Sequence, residues 1–94
     1  MVVRLTSFSI PSEKAQEATN IYMQEVAPEV KKQKGNSNVM LLEAADGSNE
    51  YISLTAWETK ADADTYESSG KYKELVSKIQ GLIGKPVLKS YNTK

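Results

Sequence analysis

From Val2 to Phe8 the chain alternates, with Val3, Leu5 and Ser7 on one side and Val2, Arg4, Thr6 and Phe8 on the other. That period of two predicts a β-strand. The segment IPSEK ends it and starts a helix, with Ser12 as the expected N-cap, Pro11 before it and Glu13 near the positive helix end. Ala15, Ala18, Tyr22, Val26 and Val30 then recur at spacings of three and four, an amphipathic stripe. Pro28 lies inside this stripe and has no N–H to donate, which predicts a kink or a restart. Lys31, Lys32 and Lys34 read as a solvated last turn rather than an anion site, and Gly35 closes it.

The segment NVMLLEA reads as a second strand, the Asp46–Gly47 pair as a turn, and YISLTAW as a third strand paired with the second in a hairpin. Thr59 begins the next helix, with Asp62 three residues later in a shortened capping box. A pause is expected at SSG. Beyond it Tyr72, Leu75, Val76, Ile79, Leu82 and Ile83 give the strongest amphipathic signal of the chain. Gly81, Gly84 and Pro86 end that helix, and VLKSYN offers a last strand. The order βαββαβ is that of a ferredoxin-like α+β plait, an antiparallel sheet with its helices on one face. No linker, repeat or low-complexity segment interrupts residues 1–94, which read as one domain.

Both faces of the middle strands are apolar. Val39 and Leu41 oppose Met40 and Leu42, while Ile52, Leu54 and Ala56 oppose Tyr51 and Trp57. Two helices cover only one face of such a sheet, and the other is normally polar. A second copy of the sheet is the economical cover, which predicts a homodimer joined through the sheet faces. The alternative is a greasy open face, an aggregation liability.

Composition narrows the chemistry. The 94 residues contain no cysteine and no histidine. Disulfides, thiol catalysis and His-based triads are therefore excluded, and the usual ligands for zinc, copper and haem iron are missing. No acidic loop has the spacing of a calcium site. The expectation is no cofactor and no metal. Twelve basic residues balance twelve acidic ones, so no field of one sign draws nucleic acid or an anionic membrane. RNA-recognition modules share the strand order but need a central aromatic on the first strand and flanking basic charge, both absent here. No apolar run is long enough to span a membrane, and MVVRLTSF is too short and polar for a signal peptide; with no cysteine, the expected location is cytoplasmic.

The seven aromatic residues are unevenly spread: Tyr51, Trp57, Tyr66 and Tyr72 fall between residues 51 and 76. The stretch TAWETKADADTYESSGKYKELVSKIQGLIGKPVLKSYN resembles the second half of the antibiotic biosynthesis monooxygenase family. The pattern is a strand ending in Trp, a short helix, a Ser-x-x-aromatic step, an amphipathic helix, then Pro and a last strand. The stretch APEVKKQKGNSNVMLLEA resembles that family's first helix running through a Gly into its second strand. The resemblance implies a dimeric α+β barrel with a cavity between helices and sheet in each subunit. Some members are cofactor-free oxygenases of phenols or quinols, some degrade haem, and many have no known activity. By position, the Trp and iron-binding His of haem-degrading members fall at Tyr66 and Val76. The polyphenol oxygenases' Trp falls at Trp57, their Asn at Ser53 and their Tyr at Ala63.

Tyr22, Trp57, Tyr66 and Tyr72 are thus the substrate-pocket candidates, Trp57 mainly as packing and the tyrosines with hydroxyls that need partners if buried. No catalytic residue is assigned. Arg4, the only arginine, reads as a dimer ion pair or as an anchor for an anionic substrate. Asp62, Asp64 and Glu67 read as solvent-facing. The expected function is a cofactor-independent monooxygenase acting on a small aromatic or quinol-like molecule. The alternative is a non-catalytic ligand-binding or structural protein of the same fold.

Overall fold

The computed structural model describes Met1 to Lys94. Four strands, β1 (Val2–Ser9), β2 (Asn36–Glu43), β3 (Glu50–Trp57) and β4 (Val87–Asn92), form one antiparallel sheet in the order β2-β3-β1-β4. Four helical segments, α1 (Ala15–Ile21), α2 (Ala27–Lys31), α3 (Lys60–Glu67) and α4 (Gly70–Ile79), together with the turn Tyr22–Val26 between the first two, supply the helical residues of the core on one side of it. This is the ferredoxin-like α+β plait expected from the strand and helix order.

The first helix explains its own irregularity. Ala18, Tyr22, Val26 and Val30 follow one another at steps of four, and each step overshoots a full α-helical turn by about 40°. Three such steps would carry Val30 well off the face that holds Ala18. Instead a π-helical turn at Tyr22–Val26 joins α1 to α2 and takes up the excess, so all four side chains stay buried. Pro28 then lies in the first turn of α2, where its missing N–H is tolerated. The expected restart is therefore a π turn just before the proline. Ser12 is not a side-chain cap: it opens a 3-10 turn, Ser12–Lys14, whose cap position holds Pro11. The Lys14 amide donates to the Pro11 carbonyl at 2.9 Å, so the backbone does the work assigned to the serine.

Later elements start as their sequence signals predict. Thr59 Oγ1 accepts from the Asp62 amide at 3.1 Å and caps α3, and Ser69 Oγ accepts from the Tyr72 amide at 3.3 Å and caps α4. Between β2 and β3, Asp46 Oδ1 accepts from the Ser48 amide at 2.9 Å, and Gly47 has φ of 82°.

Strand pairing assigns the faces. Val2, Arg4, Thr6 and Phe8 share the helix side with Ser53, Thr55 and Trp57. On the other side, Leu5 pairs with Leu54 and Leu54 with Met40, while Ile52 pairs with Leu42 and Val3 with Tyr91. No helix covers this side, and Met40, Leu42, Val87 and Tyr91 are all exposed.

Candidate functional site

Beneath the helices lies a cavity of about 100 Å³, walled by residues of β1, β3, the first helix, α3 and α4 and by the segment leading into β4. Tyr22, Tyr66 and Tyr72 line it together with Val26, Leu75 and Ile79. Arg4 and Glu67 add a charged element to this mostly apolar wall.

Three of the four expected residues therefore meet. Tyr22 Oη lies 2.6 Å from Ser53 Oγ, so each satisfies the other, and Ser53 has its hydroxyl engaged. Tyr66 and Tyr72 pack edge to face with ring centroids 5.4 Å apart, and neither hydroxyl has a partner within the chain. The fourth, Trp57, does not reach the cavity. Its ring is 1% exposed, stacks behind Tyr66 at 5.2 Å, and its Nε1–H donates to Thr55 Oγ1 at 2.9 Å. Trp57 fixes the ring of Tyr66 from the far side.

Burial raises the pKa of Tyr66 above the ordinary phenol value, with Tyr72, Tyr22 and Glu67 adding to the effect. Tyr72 is raised by burial first and then by Glu67. Tyr22 is raised by burial, partly offset by its bond to Ser53. All three are neutral donors near pH 7. Unfolding releases them to titrate near 10, so the unfolded state loses protons first as pH rises. Stability is then fully present below about pH 10 and declines above it. The part of the tyrosinate absorbance that belongs to these three should accordingly lag in the folded protein and appear together with the unfolding transition.

Arg4 sits on β1 facing the helices, 6% exposed. Its Nη2 donates to Asp64 Oδ1 at 2.8 Å and its Nη1 to Glu67 Oε1. The two carboxylates outweigh the burial that alone would lower its pKa, leaving it raised. Arg4 is thus paired inside its own chain, with α3. Glu67, expected to face solvent, lies at the cavity instead. Its side chain is 22% exposed and lines the cavity, whereas the Asp64 side chain is 48% exposed. The signal was present: Ala63 and Glu67 are four apart, so Glu67 follows Ala63 on the face that Ala63 and Tyr66 bury.

The model of the antibiotic biosynthesis monooxygenase family matches residues 1–78. The chain belongs to that family. A search of curated protein sequences finds no match. Among solved structures, a Deinococcus radiodurans protein provisionally assigned as an antibiotic biosynthesis monooxygenase superposes with a TM-score of 0.86 at 13% identity, covering 100% of this chain and 93% of its own. A variant of SnoaB, a cofactor-independent oxygenase from Streptomyces nogalater, gives 0.84 at 15% identity, with 99% and 92% covered. MhuD, solved with two manganese protoporphyrin IX molecules per active site, gives 0.82 at 17% identity, with 99% and 94% covered. At these identities the likeness is one of fold.

A porphyrin does not fit the present family member. The cavity is about 100 Å³, and Val76, where the resemblance puts the iron ligand of haem-degrading members, is an aliphatic wall residue. No three His, Cys, Asp or Glu side chains gather as a metal site. No helix is long and apolar enough to cross a membrane.

Proposed function

We propose that this protein is a cofactor-independent monooxygenase acting on a small aromatic or quinol-like molecule held between sheet and helices. The observation that carries the reading is that Tyr66 and Tyr72, whose neutral hydroxyls have no partner within the chain, line a mostly apolar cavity. An electron-rich ring needs no metal if it gives up a proton and then electrons to dioxygen. A quinol plus dioxygen gives a hydroxyquinone plus water, with every electron supplied by the quinol. The protein's part is to hold the ring in a dry, fixed orientation and to donate hydrogen bonds to its developing oxyanion. Size restricts the substrate, because about 100 Å³ is below the roughly 150 Å³ in which an apolar cavity holds benzene. One ring, reaching the open side near Pro86 and Leu88, suits it better than a fused polycycle.

The same small volume supports a second reading, a non-catalytic protein that kept the fold and a residual cavity. Oxygen uptake with 1,4-benzenediol and its methoxy derivatives separates the two. Turnover above uncatalysed oxidation, lost in Tyr66→Phe or Tyr72→Phe, is the outcome expected of the enzyme. Either change should alter stability by about 1 kcal/mol or less, because the ring stays and no internal hydrogen bond is lost. No turnover with the whole panel would favour the second reading.

The proposal includes a homodimer of this one-domain chain. Val3, Leu5, Met40, Leu42, Ile52 and Leu54 make the uncovered side of the sheet apolar, and a second copy is the cover whose shape and twist match it. Light scattering should give twice the chain mass at micromolar concentration. A stable monomer there would remove this part of the reading.

A further inference from the structure

We infer that Glu67 takes the hydroxyl proton of the bound ring and that Arg4 is the positioning residue that holds Glu67 for it. The inference rests on the proposed reading of the cavity and deepens it. It turns a wall that admits an aromatic into one that selects a neutral ring with a free hydroxyl.

Glu67 lines the cavity with one oxygen committed and one free: Oε1 is bound by Arg4 Nη1, and Oε2 has no donor in the chain. A carboxylate left to itself on a helix surface would sample several rotamers. Here the buried guanidinium fixes it, at the expense of its own Nε–H, which has no acceptor although Arg4 is 6% exposed. A buried donor left unsatisfied is rare. The fold thus places the guanidinium to hold Asp64 and Glu67 and does not complete its own hydrogen bonding.

The surrounding charges decide which ligand the free oxygen meets. Facing Glu67 are Arg4 from β1, Asp64 and Tyr66 from α3, and Tyr72 from α4; Lys60 pairs with Asp64 at 2.7 Å. Arg4 and Lys60 balance Asp64 and Glu67, so no positive charge is left over for a carboxylate or phosphate ligand. What remains in the same wall is an acceptor, Glu67 Oε2, and two donors, the hydroxyls of Tyr66 and Tyr72, whose titration Glu67 influences. A phenolic hydroxyl is the group that gives to the first and accepts from the others.

In the step this assigns, the O–H bond of the ring breaks and an Oε2–H bond forms on Glu67. The electron pair stays on the ring oxygen, which accepts hydrogen bonds from the tyrosines. Electron loss to dioxygen, the co-substrate, follows from the anion. Net charge in the cavity is unchanged by the transfer, so no charge need enter or leave an apolar space.

Calorimetric binding of phenol and of toluene, equal in size but without the hydroxyl, tests the recognition on the unaltered protein. Phenol should bind about tenfold or more tightly, the effect of a hydrogen bond to a charged group. Glu67→Gln should lose most of that preference and lower oxygen uptake with 1,4-benzenediol about a hundredfold or more, the scale of a general base. Arg4→Lys should lower kcat by a larger factor than it changes KM, and a variant with the parent's kcat would remove Arg4 as the positioning residue. Equal binding of phenol and toluene to the parent, or a Glu67→Gln protein with the parent's preference and rate, would overturn the role of Glu67 and leave the cavity an aromatic site. If the parent binds neither ring, the proposed function falls and this inference with it.

Discussion

Trp57→Ala should lower the unfolding free energy by about 3–5 kcal/mol, the usual cost of removing a large buried ring. Trp57 is 1% exposed at the last residue of β3, where its backbone pairs with Val2 of β1 and Asn36 of β2. Its ring belongs to the larger core cluster with Val2, Val39, Ala63 and Tyr66, so truncation withdraws support from both sheet and α3. The void would open behind Tyr66, which has no other aromatic ring stacked on that side. A domain of this size has roughly 5–15 kcal/mol in all, so the variant should unfold at much lower denaturant. Trp57→Phe should lose clearly less, because a ring remains and only part of the buried volume and the bond to Thr55 Oγ1 go. Urea unfolding of the three proteins checks the order; an alanine variant within about 1 kcal/mol of the parent would remove Trp57 from the core.

Gly35→Ala should be the most damaging single-methyl addition, at about 2–4 kcal/mol. Two effects combine there. Its φ is +82°, a conformation that costs an L-residue about 1–2 kcal/mol. An added Cβ would also lie 2.1 Å from Asp62 Oδ2 and 2.6 Å from Asp62 Cβ, so the start of α3 must move as well as the carboxylate. Gly47 supplies the control, with the same φ of +82° and nothing within 4 Å of its added Cβ. Gly47→Ala should show the backbone effect alone. The difference between the two melting shifts isolates the contact with Asp62, and equal shifts would show that Asp62 yields freely.

Where one residue type or a simple period decided the outcome, the sequence was readable. Alternation placed β1 and put Arg4 on the Val2–Phe8 side, and capping by Thr59 located α3 to the residue. Tyr22 and Tyr72 were legible as inward residues from their spacing, and Tyr66 from the aromatic cluster and the family resemblance. What escaped was decided by tertiary partners. Glu67 reads as polar and therefore exposed until Arg4, 63 residues away, is seen to reach it from another element. Arg4, read as a dimer ion pair or a substrate anchor, has its partners on α3 for the same reason. Whether Trp57 touches the void depends on which side of Tyr66 it stacks, and no spacing encodes that. Ser12 failed as a cap because the amide after the proline turn already had a backbone acceptor.

The π turn between α1 and α2 means that the first helix carries one residue more than its span requires. A turn of this kind is a single-residue insertion accommodated without disturbing what lies on either side. Met23, Gln24 and Glu25 within it are exposed, while Tyr22 and Val26 at its ends are buried. Removing Gln24 should therefore let the helix close as a regular α-helix with Ala18 and Val30 still inward, whereas removing a residue from α4 would throw its whole apolar stripe out of phase. Among the helices, the place that tolerates a deletion lies in the wall of the cavity, and a chain shortened there would change the shape of that wall before it changed the fold.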